Sequence, residues 1–165
     1  MRILVTGGYG LIGHNVVKRL KDLKHNVIIV DTKTNYGIIP QSEIDYLMAE
    51  RAKKIDYHLH YSTDITNTGP IDYVVQTSKP DVLVHMASFP RQKVVNADPQ
   101  WGADVMMRGL INLLESAKRY GVRRFVYISS SMVYGDFNDQ VTEDAVCRPQ
   151  GQYGIMKLMG EHLVK

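Results

Sequence analysis

Apolar positions along the chain fall into two alternating kinds of run. Short β-branched runs at 2–6, 26–30, 57–61, 82–86 and 124–129 predict strands. Longer stretches at 11–23, 41–54, 70–78 and 100–120, and a last one from 151, predict helices; in the fourth, Leu110, Leu113, Leu114 and Ala117 return to one stripe. Parallel strands need a crossover between them, so this repeated strand-helix order predicts a parallel sheet covered by helices on both faces, an α/β doubly wound arrangement. The least regular stretches are 31–40, 87–99 and 130–150, and the last two directly follow strands. In open α/β sheets ligands bind beyond the carboxyl ends of the strands, so these loops form the expected functional edge.

The first strand runs into glycines. Ile3-Leu4-Val5-Thr6-Gly7-Gly8-Tyr9-Gly10-Leu11-Ile12-Gly13 places Gly7, Gly10 and Gly13 between the first strand and the first helix. There Gly7 allows a tight turn, Gly10 lets the backbone approach a pyrophosphate, and Gly13 permits close helix packing. Leu11 and Ile12 open the helix, whose N-terminal amides and positive dipole end suit an anion. Asp31 ends the second strand about 20 residues on, where a carboxylate can accept hydrogen bonds from an adenosine ribose and repel a 2′-phosphate. The expected cofactor is therefore NAD in preference to NADP, bound on a Rossmann-like fold. Lys33, two residues further, softens that preference, and a turn or capping role for Asp31 is the competing reading.

Bulk properties narrow the range of functions. At 165 residues, 44% hydrophobic and 22% charged, the chain suits one domain with a sizeable core, spanning 1–165. A net charge of +3 with acids and bases interspersed gives no nucleic-acid stripe and no polybasic membrane patch. Cys147 is the only cysteine, which excludes an internal disulfide and argues against a cysteine metal site, so no metal is expected. With no apolar segment of spanning length and no leader-like start, the expected location is cytoplasmic.

The second cluster of chemistry lies near the end. Tyr153 and Lys157 are four apart on a predicted helix and so share a face. A tyrosine acting as a base near neutral pH needs its ionisation eased by about 4 kcal/mol. An ammonium about 5 Å away supplies roughly 3 kcal/mol of that at an effective dielectric near 20. Three serines at a strand end, Ser129, Ser130 and Ser131, precede the pair by a loop's length, and serines there are ordinarily turn formers.

Glycines three apart joined to a downstream Tyr-x-x-x-Lys resemble the short-chain dehydrogenase/reductase family, in its extended branch of NAD-dependent sugar-nucleotide epimerases and dehydratases. The resemblance covers the whole chain. It implies adenine contacts from Asp64-Ile65, a ribose-side position at Asn35, and a segment under the cofactor that includes Met86, Ala87 and Ser88. In Tyr127-Ile128-Ser129-Ser130-Ser131-Met132-Val133-Tyr134-Gly135-Asp136, spacing back from Tyr134 selects Ser130 as the hydroxyl that orients the reacting sugar oxygen. Tyr153 is then the proton acceptor, and Lys157 its activating cation and a ligand of the nicotinamide ribose. Asp64 as a turn residue and His85 as a satisfied strand-end histidine are the plainer readings of those two positions.

Elimination chemistry needs a further acid or base, and dehydratases of this branch resemble one another in an Asp-Glu pair after the catalytic hydroxyl. Here those positions hold Ser131 and Met132, which favours epimerisation. The expected activity is UDP-glucose 4-epimerase-like, through a transient keto-sugar, with a nucleotide-sugar, in particular a UDP-sugar, as substrate. A keto-sugar reductase, a 4,6-dehydratase and a non-catalytic dinucleotide-binding module are the alternatives.

Several positions depart from the resembled pattern. Met106-Met107-Arg108-Gly109-Leu110 stands where the branch usually has Asn-Val-x-Gly-Thr, Gln152 replaces a proline before the tyrosine, and Met156 replaces the serine before the lysine. Arg91 or Lys93 occupies the region of a lysine that epimerases tend to carry. The last sheet strands and the C-terminal substrate lobe of the branch have no counterpart in the 165 residues. The resemblance implies a homodimer through helices 100–120 and 151–165, with Met156, Met159 and Leu163 as its seam or, equally, as a core-facing or artificially exposed stripe.

Overall fold

The computed structural model describes residues 1–55, 59–136 and 140–165. Its strands are β1 (Arg2–Thr6), β2 (Asn26–Val30), β3 (His60–Tyr61), β4 (Val82–His85) and β5 (Arg124–Tyr127). Its helices are α1 (Gly13–Asp22), α2 (Gln41–Lys54), α3 (Thr68–Ser78), α4 (Gln92–Ala97), α5 (Pro99–Ala103), α6 (Gly109–Arg119) and α7 (Gly151–Leu163). The strands form one parallel sheet in the order β3-β2-β1-β4-β5. The order reverses at β1, so β1 and β4 flank the crevice in which doubly wound sheets bind ligands.

Alternation along each strand sends neighbouring side chains to opposite faces. Leu4, Ile28, Val30 and Leu83 pack with Ile71, Val74 and Val75 of α3 and Leu113 of α6. Ile3, Val5, Val27 and Ile29 face the other way, onto Val17 of α1 with Met48 and Ala52 of α2. Helices therefore cover both faces, and the sheet's near-continuous apolar runs follow from that double burial. A smaller cluster of Phe89, Val95 and Met106, with Tyr153 and Met156 packed against it, lies under the loop that follows β4.

Four boundaries differ from the sequence reading. The strand expected at 57–61 is described only at His60–Tyr61, because 56–58 lie outside the described residues. The irregular stretch 87–99 contains α4, whose six residues are too few to show a helical period and which is anchored by buried Val95. Within 130–150, Ser131–Tyr134 forms a 3-10 turn. The single helix expected at 100–120 is interrupted: Asp104–Arg108 between α5 and α6 is wound as a π-helix, spanned by an Arg108–Asp104 ion pair at 2.8 Å. Such wide turns concentrate at functional sites. Pro99 sets the first turn of α5, whose end is capped by the Asp98 carboxylate accepting from Trp101 N at 3.0 Å.

Candidate active site

The loops at the carboxyl ends of β1, β2, β4 and β5 carry most of the expected chemistry. In the first, Gly7 adopts φ +73°, and a Cβ there would stand 2.7 Å from Ala87 N, so only glycine lets this loop lie against the loop after β4. A Cβ at Gly13 would overlap the Gly7 carbonyl oxygen, so the start of α1 closes directly onto the turn. Gly10 differs: its added Cβ would meet only Gly7 O, at 3.1 Å. That leaves an open side where a pyrophosphate can reach the backbone. Leu11 and Ile12, 70% and 62% exposed, flank this opening at the N-terminus of α1.

Thr6, the last residue of β1, ties the two loops together. Its Oγ1 accepts from Met86 N and Ala87 N, each at 3.2 Å, and shares a 2.7 Å hydrogen bond with His85 Nδ1. The His85 ring is buried, and burial, with a smaller effect from Lys157, pushes its pKa down to about 3. It is thus a neutral structural group, as its plainer reading had it. Sequence reasoning passed over Thr6, although a threonine at the last position of a strand before a glycine loop is a signal for such a tie.

Ser88 Oγ is buried and has no hydrogen-bond partner among the described residues. A buried hydroxyl without a partner is costly in a folded chain. This orphan, together with the glycine cradle open at Gly10, fits a polar ligand lying across the crevice. Met86 and Ala87 are half-buried in the same segment.

At the end of β2 the Asp31 carboxylate accepts from Tyr9 N at 2.8 Å and from Lys33 N at 2.7 Å. It therefore makes a local turn and also joins the second loop to the glycine loop. Asn35 closes its own loop: its carboxamide accepts from Gly37 N at 2.9 Å and donates to Ile39 O and Gln41 Oε1. Asp64 is exposed and holds a turn by accepting from Thr66 N at 2.8 Å. Ile65 is buried in the sheet-α3-α6 core, and its carbonyl accepts from Asn112 Nδ2 at 3.0 Å. Asn112, on the buried face of α6, fastens this turn; the apolar stripe drew attention away from it.

Tyr36 is a further residue the sequence did not single out. Its ring lies 5.3 Å from Phe89 and 5.6 Å from Trp101, while those two meet edge to face at 4.8 Å. Burial first, then Asp31 and Asp64, push its phenol up to about 12. The phenol thus sits in the field of both carboxylates expected on the adenosine side.

The set expected to be catalytic rests on how α7 meets the end of β5. A Cβ at Gly154 would stand 2.6 Å from Met132 O, and one at Gly160 would overlap the Tyr127 hydroxyl, so two glycines bring the helix into close contact. Glu161 accepts a hydrogen bond from Ser129 Oγ, and Asn96 Oδ1 of α4 accepts from Tyr153 N at 3.4 Å in the first turn. Lys157 is 5% exposed; its Nζ donates to Ile128 O at 2.7 Å and stands 5.0 Å from the Tyr127 ring centre and 5.9 Å from that of Tyr153. Burial pushes the ammonium's pKa down to about 8. The carbonyl and the two ring faces favour the charged form, but burial outweighs them. Burial, then Tyr153 and Glu161, raise the Tyr127 phenol, which stays neutral beside the lysine.

Ser130 is half-buried and begins the 3-10 turn, its Oγ accepting from Met132 N at 3.2 Å. Its O–H remains available to donate. Ser129 is engaged by Glu161 and Ser131 is exposed, which separates the three serines by environment. Met106 is 3% exposed in the cluster against which Tyr153 packs, so the wall there is a thioether. The seam expected on α7 needs correction: Met156 packs into that cluster, while the exposed apolar stripe is Ile155, Met159 and Leu163.

Among the described residues no helix is long and apolar enough to cross a membrane, and no group of three His, Cys, Asp or Glu is placed to hold a metal ion.

The family model described as the NAD dependent epimerase/dehydratase family matches residues 3–165. Among curated relatives, the uncharacterized UDP-glucose epimerase YtcB of Bacillus subtilis is 32% identical over 170 residues, covering 99% of this chain and 50% of that protein. UDP-glucose 4-epimerase 4 of Oryza sativa subsp. japonica is 29% identical over 164 residues, covering 99% of this chain and 44% of that protein. Among solved structures, UDP-glucose-4-epimerase from Stenotrophomonas maltophila with bound NAD and formylated UDP-arabinopyranose superimposes with a TM-score of 0.84 at 28% identity, covering 99% and 47% of the two chains. The chain spans about half the length of the curated relatives it matches.

Proposed function

The chain belongs to the NAD dependent epimerase/dehydratase family, an enzyme family whose cofactor is NAD, and from that premise we propose that it is the cofactor-binding and catalytic part of a nucleotide-sugar epimerase. The proposed substrate is a UDP-hexose, and the carbon inverted is the one a UDP-glucose 4-epimerase inverts. The observation that carries the reading is the buried Lys157 ammonium, clamped on Ile128 O and facing the Tyr153 ring, one turn along the helix from the tyrosine.

Gly7, Gly10, Leu11, Ile12 and Gly13 would hold the pyrophosphate, Asp31 and Asn35 the adenosine ribose, Asp64 and Ile65 the adenine, and Met86, Ala87 and Ser88 the segment beneath. When bound, NAD supplies the oxidant for the sugar carbon and the reductant for its return. Ser130 donates to the sugar oxygen and fixes its direction. Tyr153 takes the hydroxyl proton as the carbon is oxidised and gives it back as the carbon is reduced on its other face. Lys157 opposes the charge left on the phenol oxygen, and its burial makes that opposition stronger than it would be in water. Its three donors exceed the one carbonyl it meets, which leaves capacity for the nicotinamide ribose. Because neither the Ser131 hydroxyl nor the Met132 thioether exchanges a proton near neutral pH as a carboxyl group does, elimination lacks an acid at these positions and the keto-sugar is returned.

The remaining parts of the reading are a cytoplasmic location, a single Rossmann-like unit over 1–165, and a homodimer. The dimer is supported by the exposed Ile155, Met159 and Leu163 on α7 and Ile111 on α6. In a polypeptide of the relatives' full length, UDP-glucose and UDP-galactose should interconvert without net change in NADH absorbance. Stoichiometric consumption of NADH would make the protein a reductase, and release of a 4-keto-6-deoxy product would make it a dehydratase.

A further inference from the structure

Beyond β5 the chain is held by α7 at successive points. Gly160 makes room for the Tyr127 hydroxyl, Lys157 donates from Nζ to Ile128 O at 2.7 Å, Glu161 accepts from Ser129 Oγ, and Gly154 lets the helix lie against Met132 O. Ser130 sits in sequence between these anchors. Its Oγ accepts from Met132 N at 3.2 Å, so the direction left for its proton is set by where residues 128–132 rest on the helix. Lys157 and Glu161 are four apart, on one face of α7, and grip consecutive residues of the strand end. Glu161 differs from the other anchors in its charge. It is half-buried and takes part in none of the ion pairs found among the described residues. A partly desolvated carboxylate is costly unless it is hydrogen-bonded, and here the donor is the Ser129 hydroxyl. Hydrogen bonds to an ionised acceptor are roughly twice as strong as those between neutral groups, so Ser129 is fixed firmly.

We propose that Glu161 is a positioning residue: by holding Ser129 it fixes the strand end from which Ser130 aims its hydroxyl at the sugar oxygen. The proposal rests on the reading of Ser130 as the group that orients that oxygen. Glu161 itself touches neither sugar nor cofactor in this role. It also occupies the Ser129 hydroxyl, which leaves Ser130 as the half-buried serine whose proton is free to donate. A hydroxyl supported in this way stays in its productive direction through the reaction, whereas one on a loosened strand end loses rate without losing substrate.

Interconversion of UDP-glucose and UDP-galactose by a polypeptide of the relatives' full length tests this through Ser129→Ala, Glu161→Ala and Glu161→Gln, each made alone and together with Ser130→Ala. Ser130→Ala alone should lower kcat about a hundredfold, the order lost with one donor to a reacting oxygen. Ser129→Ala and Glu161→Ala should each lower kcat about tenfold with KM held within about twofold, because a misplaced hydroxyl weakens the transition state and not substrate binding. Glu161→Gln keeps a carbonyl acceptor for Ser129 and should recover most of that loss. Once Ser130→Ala is present, neither Ser129→Ala nor Glu161→Ala should cost more than about twofold further, since residues that act as a unit are not additive. A clamp that only holds the fold together gives the same loss in both backgrounds. That result, or full rate in Ser129→Ala, overturns the positioning role while leaving Ser130 in place. Ser129→Ala removes a single hydroxyl, so it decides the matter even if Glu161→Ala does not fold. Full rate in Ser130→Ala alone refutes the reading of the site, and the positioning role with it.

Discussion

Replacing Lys157 by methionine should change how stability depends on pH, and the change can be worked from the burial of one ammonium. In the unfolded chain this lysine titrates near its ordinary 10.5, whereas burial in the fold brings it down to about 8. Between those values the unfolded chain holds a proton that the folded chain has released. Unfolding there takes up a proton, so raising the pH opposes it and stability rises. Below about pH 8 both states are charged and the dependence vanishes. The separation corresponds to about 3 kcal/mol, at about 1.4 kcal/mol for each pH unit. Lys157→Met preserves the length of the side chain without a titrating group, so every ionisation the two proteins share cancels in their difference. Urea unfolding of both, followed by circular dichroism at intervals from about pH 7 to 10.5, gives that difference directly. The unsubstituted chain should gain about 3 kcal/mol on the variant across the window. A difference that stays flat, or moves the other way, refutes the argument that burial outweighs the Ile128 carbonyl and the two tyrosine rings.

Gly13 and Gly10 of the glycine loop should separate. Gly13→Ala places a Cβ on the Gly7 carbonyl and should cost about 2–4 kcal/mol in urea unfolding, whereas Gly10→Ala, which meets only Gly7 O at 3.1 Å, should cost about 1 kcal/mol or less yet weaken NAD binding at least about tenfold by calorimetry. Gly160→Ala should lower stability by about 1–3 kcal/mol through the clash with the Tyr127 ring, with Tyr127→Leu in the same chain recovering part of it. The His85 ring should show no titration by NMR between about pH 5 and 8. Its folded pKa near 3 lies below its ordinary 6.5, so stability should fall as the pH drops through that interval, with the slope removed in a His85 variant that folds.

The doubly wound sheet was legible because strand and helix periods differ, and because a sheet buried on both faces leaves unbroken apolar runs such as Val27–Val30. The placement of Tyr153, Lys157 and Ser130 beyond the end of β5 followed from helix geometry and strand order. Three features were not legible. α4 is too short to display a period, so Asn96, which meets the first turn of α7, could not be placed. The π-helix at Asp104–Arg108 leaves the apolar spacing of α6 intact and shows only in the backbone. Asn112 and Tyr36 act through contacts between segments distant in the chain, on which local pattern is silent. The apolar stripe read on α7 had one wrong member for a related reason. Met156 lies one position from Ile155 on the helix, and only the third cluster shows which of the two faces inward.

The claim that Tyr153 moves the substrate proton, with Lys157 beside it, is tested most directly by Tyr153→Phe in a polypeptide of the relatives' full length, measured for UDP-glucose and UDP-galactose interconversion and for bound NAD. Removing a positioned proton acceptor typically costs about a hundredfold to ten-thousandfold in rate. The account predicts a loss of that size with NAD still bound; interconversion retained within about tenfold would contradict it.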